Sequence, residues 1–300
     1  MHLGIDLGGT KIEVVVLDSQ DNSIERMRMA TPTADYQQIL SSINTLTQEI
    51  ESKGYVISSI GVGTPGSLDT HTGTIKNANT QCLNGKPLKE DLIRLLGRNI
   101  VVANDADCFA LSEATDGAGK DLQCLFGVII GTGTGGGIIM NKQLHTGSNQ
   151  IAGEWGHNPM PYASEKDFDN RSCYCGKSAC IETFLSGPGL SLTHYFKSGI
   201  HLTPPEIEQA ANDGDRHAKQ SLLDYASQLA RSTATVINLL DPDIIVLGGG
   251  LSNFDYLYQI VPRLWRNFVF SSNINTVLAP AHFGDSSGVR GAAWLGKRAN

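Results

Sequence analysis

The sequence predicts an α/β protein of two related lobes enclosing a cleft. Segments with strand patterning alternate with segments of helical spacing along the chain, which argues for α/β architecture. An apolar strand, a Gly/Thr turn and a second apolar strand occur twice, 123 positions apart. The length of 300 residues suits two domains and is ample to bury a core without covalent staples.

Taken in order, Leu3-Gly4-Ile5-Asp6 reads as a strand and Leu7-Gly8-Gly9-Thr10-Lys11 as a turn. Ile12-Glu13-Val14-Val15-Val16-Leu17 completes a hairpin that runs into the polar turn Asp18-Ser19-Gln20-Asp21-Asn22. Ile39, Ile43, Leu46 and Ile50 stand at helical spacing and predict a helix over 35–53. Strands are expected at 58–62, 100–103, 124–130, 137–140 and 244–247. Helices are expected at about 105–115, 206–212 and 216–240, and from near Phe254. The polar stretch 158–172 reads as a long loop, and loops of that length are often functional.

The repeated pattern lays Gly4-Ile5-Asp6-Leu7-Gly8-Gly9-Thr10-Lys11 on Gly127-Val128-Ile129-Ile130-Gly131-Thr132-Gly133-Thr134. Without a gap it also lays Val15-Val16-Leu17-Asp18 on Ile138-Ile139-Met140-Asn141. Any two Gly-turn hairpins share this chemistry. The sharper reading is a duplicated lobe, its two Gly turns facing each other across the cleft.

Composition narrows the function classes. Hydrophobic residues at 40% and charged residues at 18% describe a globular chain. The 33 glycines exceed the usual share, so the backbone must turn tightly or approach something closely at several places. A net charge of −7 disfavours nucleic acid, whose phosphates need clustered Lys and Arg. No apolar run reaches the roughly 18–20 residues of a membrane span, and Met1-His2-Leu3-Gly4-Ile5-Asp6 has no secretory-signal pattern. The expectation is a cytoplasmic protein with neither nucleic acid nor membrane as partner. The six cysteines do not make a disulfide scaffold, but three fall within eight positions, which in a reduced compartment points to metal.

Gly-rich turns let backbone N–H groups converge on phosphate oxygens, because no Cβ stands in the way. Three such turns follow apolar strands: Gly8-Gly9-Thr10-Lys11, Gly131-Thr132-Gly133-Thr134-Gly135-Gly136-Gly137 and Gly248-Gly249-Gly250. Each alone is ordinary hairpin chemistry. Together they point to a nucleotide site, with Thr10 and Lys11 adding hydroxyl and ammonium donors. The second turn fits G-x-G-x-x-G by letter, but the dinucleotide fingerprint must open a helix. Gly137-Ile138-Ile139-Met140 reads as a strand, so that match is rejected.

Asp6 ends the first strand, and its counterpart in the second copy is Ile129. A carboxylate kept in one copy suggests a role beyond folding, such as holding Mg²⁺ through water. Asp105 follows a strand and precedes a helix. It is either an ordinary N-cap or, at the carboxyl edge of a parallel sheet, a general base for a sugar hydroxyl attacking a γ-phosphate.

His157 stands sixteen positions before Cys173-Tyr174-Cys175, and Cys180 follows. One imidazole and three thiolates make a Cys₃His set typical of structural Zn²⁺, with no position left open for hydrolysis. Cys82, Cys108 and Cys124 lie apart, in partly apolar settings, and read as packing residues. The ion would brace the loop carrying Glu154, His157 and Glu182. Taken singly, each Glu reads better as a solvated surface residue. Fixed by a metal, the carboxylates would accept pairs of sugar hydroxyls, and the second ring nitrogen of His157 could meet a ligand hydroxyl.

Ile5-Asp6-Leu7-Gly8-Gly9-Thr10-Lys11, Asn104-Asp105, Gly153-Glu154-Trp155-Gly156-His157, Cys173-x-Cys175-Gly176-x-x-x-Cys180-x-Glu182 and Leu247-Gly248-Gly249-Gly250 come in this order. In this the chain resembles the ROK-family sugar kinases, over essentially its whole length. The resemblance implies the two-lobed actin/hexokinase-type (ribonuclease H-like) fold, ATP with Mg²⁺, a structural Zn²⁺, a hexose in the cleft and a homodimer. The lobes are expected to comprise residues 1–112 plus 288–300, and 113–287 with the zinc loop. By matching positions, Asp105 would be the catalytic base, and Asn104, Glu154, His157 and Glu182 would hold sugar hydroxyls. Gly66 of Thr64-Pro65-Gly66 and Asn79 of Asn77-Ala78-Asn79 would complete the sugar pocket. Asp6 and the first two Gly turns would serve the phosphates, and Gly248, Gly249 and Gly250 would lie near the adenosine.

Within the family, Asn77-Ala78-Asn79, Leu83-Asn84-Gly85, Trp155 with Asn158-Pro159, and Gly284-Asp285-Ser286-Ser287-Gly288-Val289-Arg290-Gly291 look most like bacterial fructokinases that also accept mannose. The N-acetylglucosamine kinases share most of the same skeleton. Several members place Trp near position 82, where this chain has Cys82. The expected function is therefore ATP-dependent 6-phosphorylation of D-fructose or D-mannose, with N-acetylglucosamine kinase or glucokinase as the alternative. A non-catalytic sugar-sensing regulator is a different class. The family's repressors carry a DNA-binding helix-turn-helix before the kinase-like body, and this chain starts in the first strand, so no such module is expected. An actin- or chaperone-like ATPase fits poorly with the zinc knot.

Overall fold

The computed structural model describes residues 1–299. β1 (His2–Leu7) and β2 (Lys11–Leu17) form the expected hairpin, and β3 (Ser23–Ala30) extends it antiparallel. β3 has no counterpart in the sequence reading. It is an edge strand whose residues are all at least partly exposed, so it carries no buried apolar face to betray it. α1 (Tyr36–Ser52) starts at Asp35, whose carboxylate accepts the N–H groups of Gln37 and Gln38, and it buries Ile39, Ile43, Leu46 and Ile50. β4 (Ser59–Thr64), the short pair β5 (Ser67–Leu68) and β6 (Ile75–Lys76), α2 (Leu88–Leu96) and β7 (Ile100–Asn104) follow. The first sheet runs β3-β2-β1-β4-β7, with β1, β4 and β7 parallel.

α3 (Asp105–Thr115) leaves the carboxyl end of β7 and leads to β8 (Cys124–Ile130), β9 (Thr134–Met140) and β10 (Gln143–Leu144). Then come α4 (Glu165–Asn170), α5 (Glu182–Leu185), α6 (Gly187–Ser198), α7 (Pro204–Asn212), α8 (Arg216–Leu240), β11 (Ile244–Gly248), α9 (Tyr256–Trp265), β12 (Val277–Pro280) and α10 (Ser287–Arg298). The second sheet runs β10-β9-β8-β11-β12, the same plan as the first. The duplication is thus a feature of the fold, with one correction. Four residues separate the last pair of the first hairpin, Leu7 with Ile12, whereas three separate Ile130 from Thr134. The gapless superposition therefore slips by one residue in the second strand of each hairpin. The rejection of a dinucleotide loop holds, because residues 134–140 are strand β9. The stretch 158–172 is not all loop: Ser164 and Asp167 form a capping box that starts α4.

α3 and α10 lie between the two sheets. One buried cluster joins Val15 and Leu17 of the first sheet to Leu125 and Ile139 of the second through Phe109, Leu111, Val289 and Trp294. The helices come close because glycines face them. A Cβ on Gly61 would lie 1.9 Å from the Ala292 carbonyl, and one on Gly291 would lie 1.6 Å from that of Cys108. Fully buried Glu113 ties the end of α3 to the start of α10, accepting the N–H of His282 and the hydroxyl of Ser287 at 2.7 Å. Gly61→Ala is expected to lower Tm by at least about 5 °C, as overpacking against backbone costs roughly 1–3 kcal/mol or more. A thermal melt with unchanged Tm would contradict this packing. Among the described residues, no helix is long and apolar enough to cross a membrane.

Candidate active site

Between the sheets lies a cleft of about 680 Å³ lined from both halves of the fold. Gly9 and Thr10 of the first Gly turn meet Thr132, Gly133, Thr134 and Gly135 of the second there. Gly66, Asn79, Asn104, Asp105, Glu154, His157 and Glu182 line the same space. The repeat explains the meeting, since equivalent turns end equivalent strands in two sheets of the same plan.

Asp105 is the first residue of α3, but the cap is Asn104, whose Oδ1 accepts the Ala106 N–H at 2.8 Å. Asn104 also donates through Nδ2 to the Gly66 carbonyl at 2.8 Å, which holds the left-handed turn at Gly66 against the end of β7. The expected sugar ligand Asn104 is thus first a brace for the pocket. Asp105 Oδ1 accepts the Ala106 N–H at 2.8 Å as well. Burial pushes its carboxyl up to about 6, against that hydrogen bond, and the Glu154 carboxylate adds to the rise. Glu154 is itself raised, by burial and by Glu182. Glu182 accepts the Thr134 N–H at 2.9 Å and so ties the metal loop to the second Gly turn. Trp155 donates from Nε1 to the Gly135 carbonyl at 3.0 Å and braces the same turn.

Asp6 is not among the residues that line the cleft; its carboxylate lies close to Gly63 and Gly288. Burial pushes its carboxyl up to about 7, and Asp105 and Glu13 add negative potential. Hard carboxylate oxygens in a negative environment fit Mg²⁺ held through water. Lys11 does not line the cleft. Its ammonium sits 3.1 Å from the buried Glu13 carboxylate, which also pairs with Arg26 and with Arg28. Gly248, Gly249 and Gly250 lie outside the cleft lining. The first two pack tightly, a Cβ on Gly248 meeting the Phe109 ring at 2.5 Å and one on Gly249 the Ile130 carbonyl at 2.5 Å, whereas Gly250 has open space.

The sequence reading passed over Asp107, two residues beyond Asp105 in the first turn of α3. It is buried, and its Oδ1 has no hydrogen-bond partner among the described residues. Burial pushes its carboxyl up to about 8, with Asp105 and Glu154 adding to the rise. The folded state therefore binds a proton that the unfolded state releases between about pH 4 and 8, and this carboxyl's stabilising contribution is lost as pH rises through that window. Asp107→Asn is expected to raise Tm by several degrees at pH 8 and hardly at pH 4, in paired thermal melts.

His157, Cys173, Cys175 and Cys180 converge, their ligand atoms all within 4.8 Å of one another. His157 Nδ1 is 3.5 Å from Cys173 Sγ, and Cys175 Sγ is 3.6 Å from Cys180 Sγ. Metal–ligand bonds of about 2.0–2.3 Å in a tetrahedron give edges of roughly 3.5–3.8 Å, so the set fits Zn²⁺. As a free thiol Cys180 is pushed up to about 12, by burial and by its thiol neighbours, a crowding that a cation relieves. The other ring nitrogen, Nε2, which the sequence offered to a ligand hydroxyl, lies 3.0 Å from the Tyr174 hydroxyl, and His157 lines the cleft. Cys82 packs against the core of the first lobe and Cys108 is buried, as expected of packing residues.

Two sheets of one plan, with paired Gly turns and a carboxylate-lined cleft between them, define an actin/hexokinase-type phosphotransferase scaffold. The ROK family pattern matches residues 2–299, and the chain belongs to the ROK family, as a sugar kinase. An N-acetyl-D-glucosamine kinase of Erwinia tasmaniensis is 41% identical over 98% of this chain and 99% of its own. One of Vibrio atlanticus is 38% identical over 98% and 99%. Among solved structures, a ROK hexokinase from Thermus thermophilus superimposes with a TM-score of 0.87 at 25% identity, covering 99% of this chain and 98% of that one. A ROK family glucokinase from Streptomyces griseus, in complex with glucose and AMPPNP, gives 0.81 at 26% identity, with 99% of both covered. These curated relatives carry N-acetylglucosamine kinase names, so the expected nearest kinship to fructokinases is not what they show.

Proposed function

We propose that the chain transfers the γ-phosphoryl group of ATP to the 6-hydroxyl of a hexose held in the cleft. The observation that carries this reading is that Asp105, Glu154, His157, Glu182 and both Gly turns line one space. In this reading Asp105 accepts the proton of the attacking hydroxyl, and its raised pKa suits a base working near neutrality. Glu154 and Glu182 accept sugar hydroxyls, and Gly66 and Asn79 close the far side of the pocket. The N–H groups of Gly8 and Gly131 close their own turns, so those of Gly9, Thr10, Thr132 and Gly133 are the ones left to cradle the phosphates, and Gly248–Gly250 flank the adenosine. When bound, Mg²⁺ beside Asp6 supplies charge neutralisation on the phosphates. The lobes, 1–112 plus 288–300 and 113–287, close on the sugar and keep water from the γ-phosphate, with the α3 and α10 layer as pivot.

Two readings of the sugar each have support. The names of the relatives favour N-acetylglucosamine. The motifs Asn77-Ala78-Asn79 and Gly284 through Gly291 favour fructose and mannose. A coupled ADP-release assay over fructose, mannose, glucose and N-acetylglucosamine decides between them, and silence with all four removes the kinase reading. Since the ionised base is the active form, kcat/KM is expected to fall as pH drops through about 6. A flat profile from pH 8 to 5 would contradict Asp105 as base.

A further inference from the structure

Tyr174 sits between two of the candidate metal ligands, so the metal loop fixes its backbone. Its ring stands edge-on to the His157 imidazole, centroids 5.1 Å apart, and its hydroxyl is 3.0 Å from Nε2. With Nδ1 turned to the thiolates, a bound ion leaves the proton on Nε2, which then donates to the Tyr174 oxygen. The tyrosine O–H is thereby left to donate elsewhere. Tyr174 lines the main cleft together with Glu154, His157 and Glu182, so it stands among the groups proposed to read the sugar.

A second observation concerns space. A side cavity of about 260 Å³ lies behind this wall, lined by Arg171, Ser186 and Leu192 among others. It shares Thr132, Tyr174 and Glu182 with the main cleft. Tyr174 is the bulkiest of the three shared residues, and it stands where the two volumes meet.

We propose that Tyr174 is a specificity-determining residue: its hydroxyl hydrogen-bonds a sugar oxygen, and its ring bars the side cavity to a bulky substituent beside Glu182. This rests on the hexose-kinase reading above. It selects unsubstituted hexoses over N-acetylated amino sugars, against the names that the relatives carry. The hydroxyl acts by donation and the ring by volume, so two substitutions separate the effects.

The test compares the unmodified protein with Tyr174→Phe and Tyr174→Ala. It reads kcat/KM for fructose, mannose and N-acetylglucosamine, sugar affinity by calorimetry without ATP, and zinc content. Tyr174→Phe is expected to weaken hexose binding about three- to tenfold, the worth of one hydrogen bond. Tyr174→Ala is expected to shift the N-acetylglucosamine-to-hexose ratio at least tenfold toward the acetylated sugar, with one zinc retained. An unchanged ratio in Tyr174→Ala, or an unmodified protein that prefers N-acetylglucosamine, overturns the proposal while leaving the kinase reading intact. No heat and no turnover with any sugar in the unmodified protein overturns both.

Discussion

Asp105→Ala is expected to lower kcat by about 10²–10⁴-fold, the usual worth of a positioned general base, while sugar affinity by calorimetry stays within a fewfold. The structure makes this a clean test. Had Asp105 been the helix cap, its removal would cost stability and confuse the result. Asn104 caps α3 through Ala106, so the helix start survives the substitution. Burial and Glu154 raise the carboxyl of Asp105, so Asp105→Ala relieves a cost in the folded state and Tm is expected to hold or rise. A kcat within threefold of the unmodified protein would remove Asp105 from the chemistry.

Cys175→Ser is expected to cut bound zinc from about one equivalent per chain to a small fraction and to weaken sugar binding by an order of magnitude or more. Cys175 is the exposed member of the set, so its replacement disturbs little packing by itself. Any large effect must come through the ion. Trp155, Met160, Ala179 and Ile181 anchor residues 153–182 in the core, but the stretch between them is weakly held: α4 is six residues long and buries none of them. Binding free energy of a structural ion is folding free energy for such a loop. The loop in turn carries Glu154 and His157 and reaches Glu182, so its loosening spreads to the second Gly turn through Thr134. Metal analysis and calorimetry read the two consequences separately. A zinc-free Cys175→Ser protein with full sugar affinity would show that the ion does not shape the site.

The repeat was legible because strand–Gly turn–strand is local chemistry, written in contiguous residues. The cysteine knot was legible for the same reason: three ligands lie within eight positions and one sixteen residues earlier. β3 was not legible, because this edge strand only half-buries its inner face, through Met27 and Met29. Asp107 was passed over because its importance lies in its burial with the Asp105 and Glu154 carboxylates nearby, which no sequence window shows. Tyr174 was quoted among the cysteines, yet only the fold puts its hydroxyl on His157. The one-residue difference between the turns was hidden because both strands remain apolar in either register.

By itself the chain's order of residues determined the α/β class, the duplicated Gly-turn hairpins and the spacing of the Cys₃His set. Those rest on periodicity, spacing and side-chain chemistry, which are properties of short segments. Only the tertiary structure decided that Asn104 rather than Asp105 caps α3, that Lys11 faces Glu13, and that the Tyr174 hydroxyl meets His157. Such assignments depend on which distant segments share one volume. That volume is set by α3 and α10 packing glycine against backbone between two sheets, an outcome of the whole chain's burial and not of any single stretch of it.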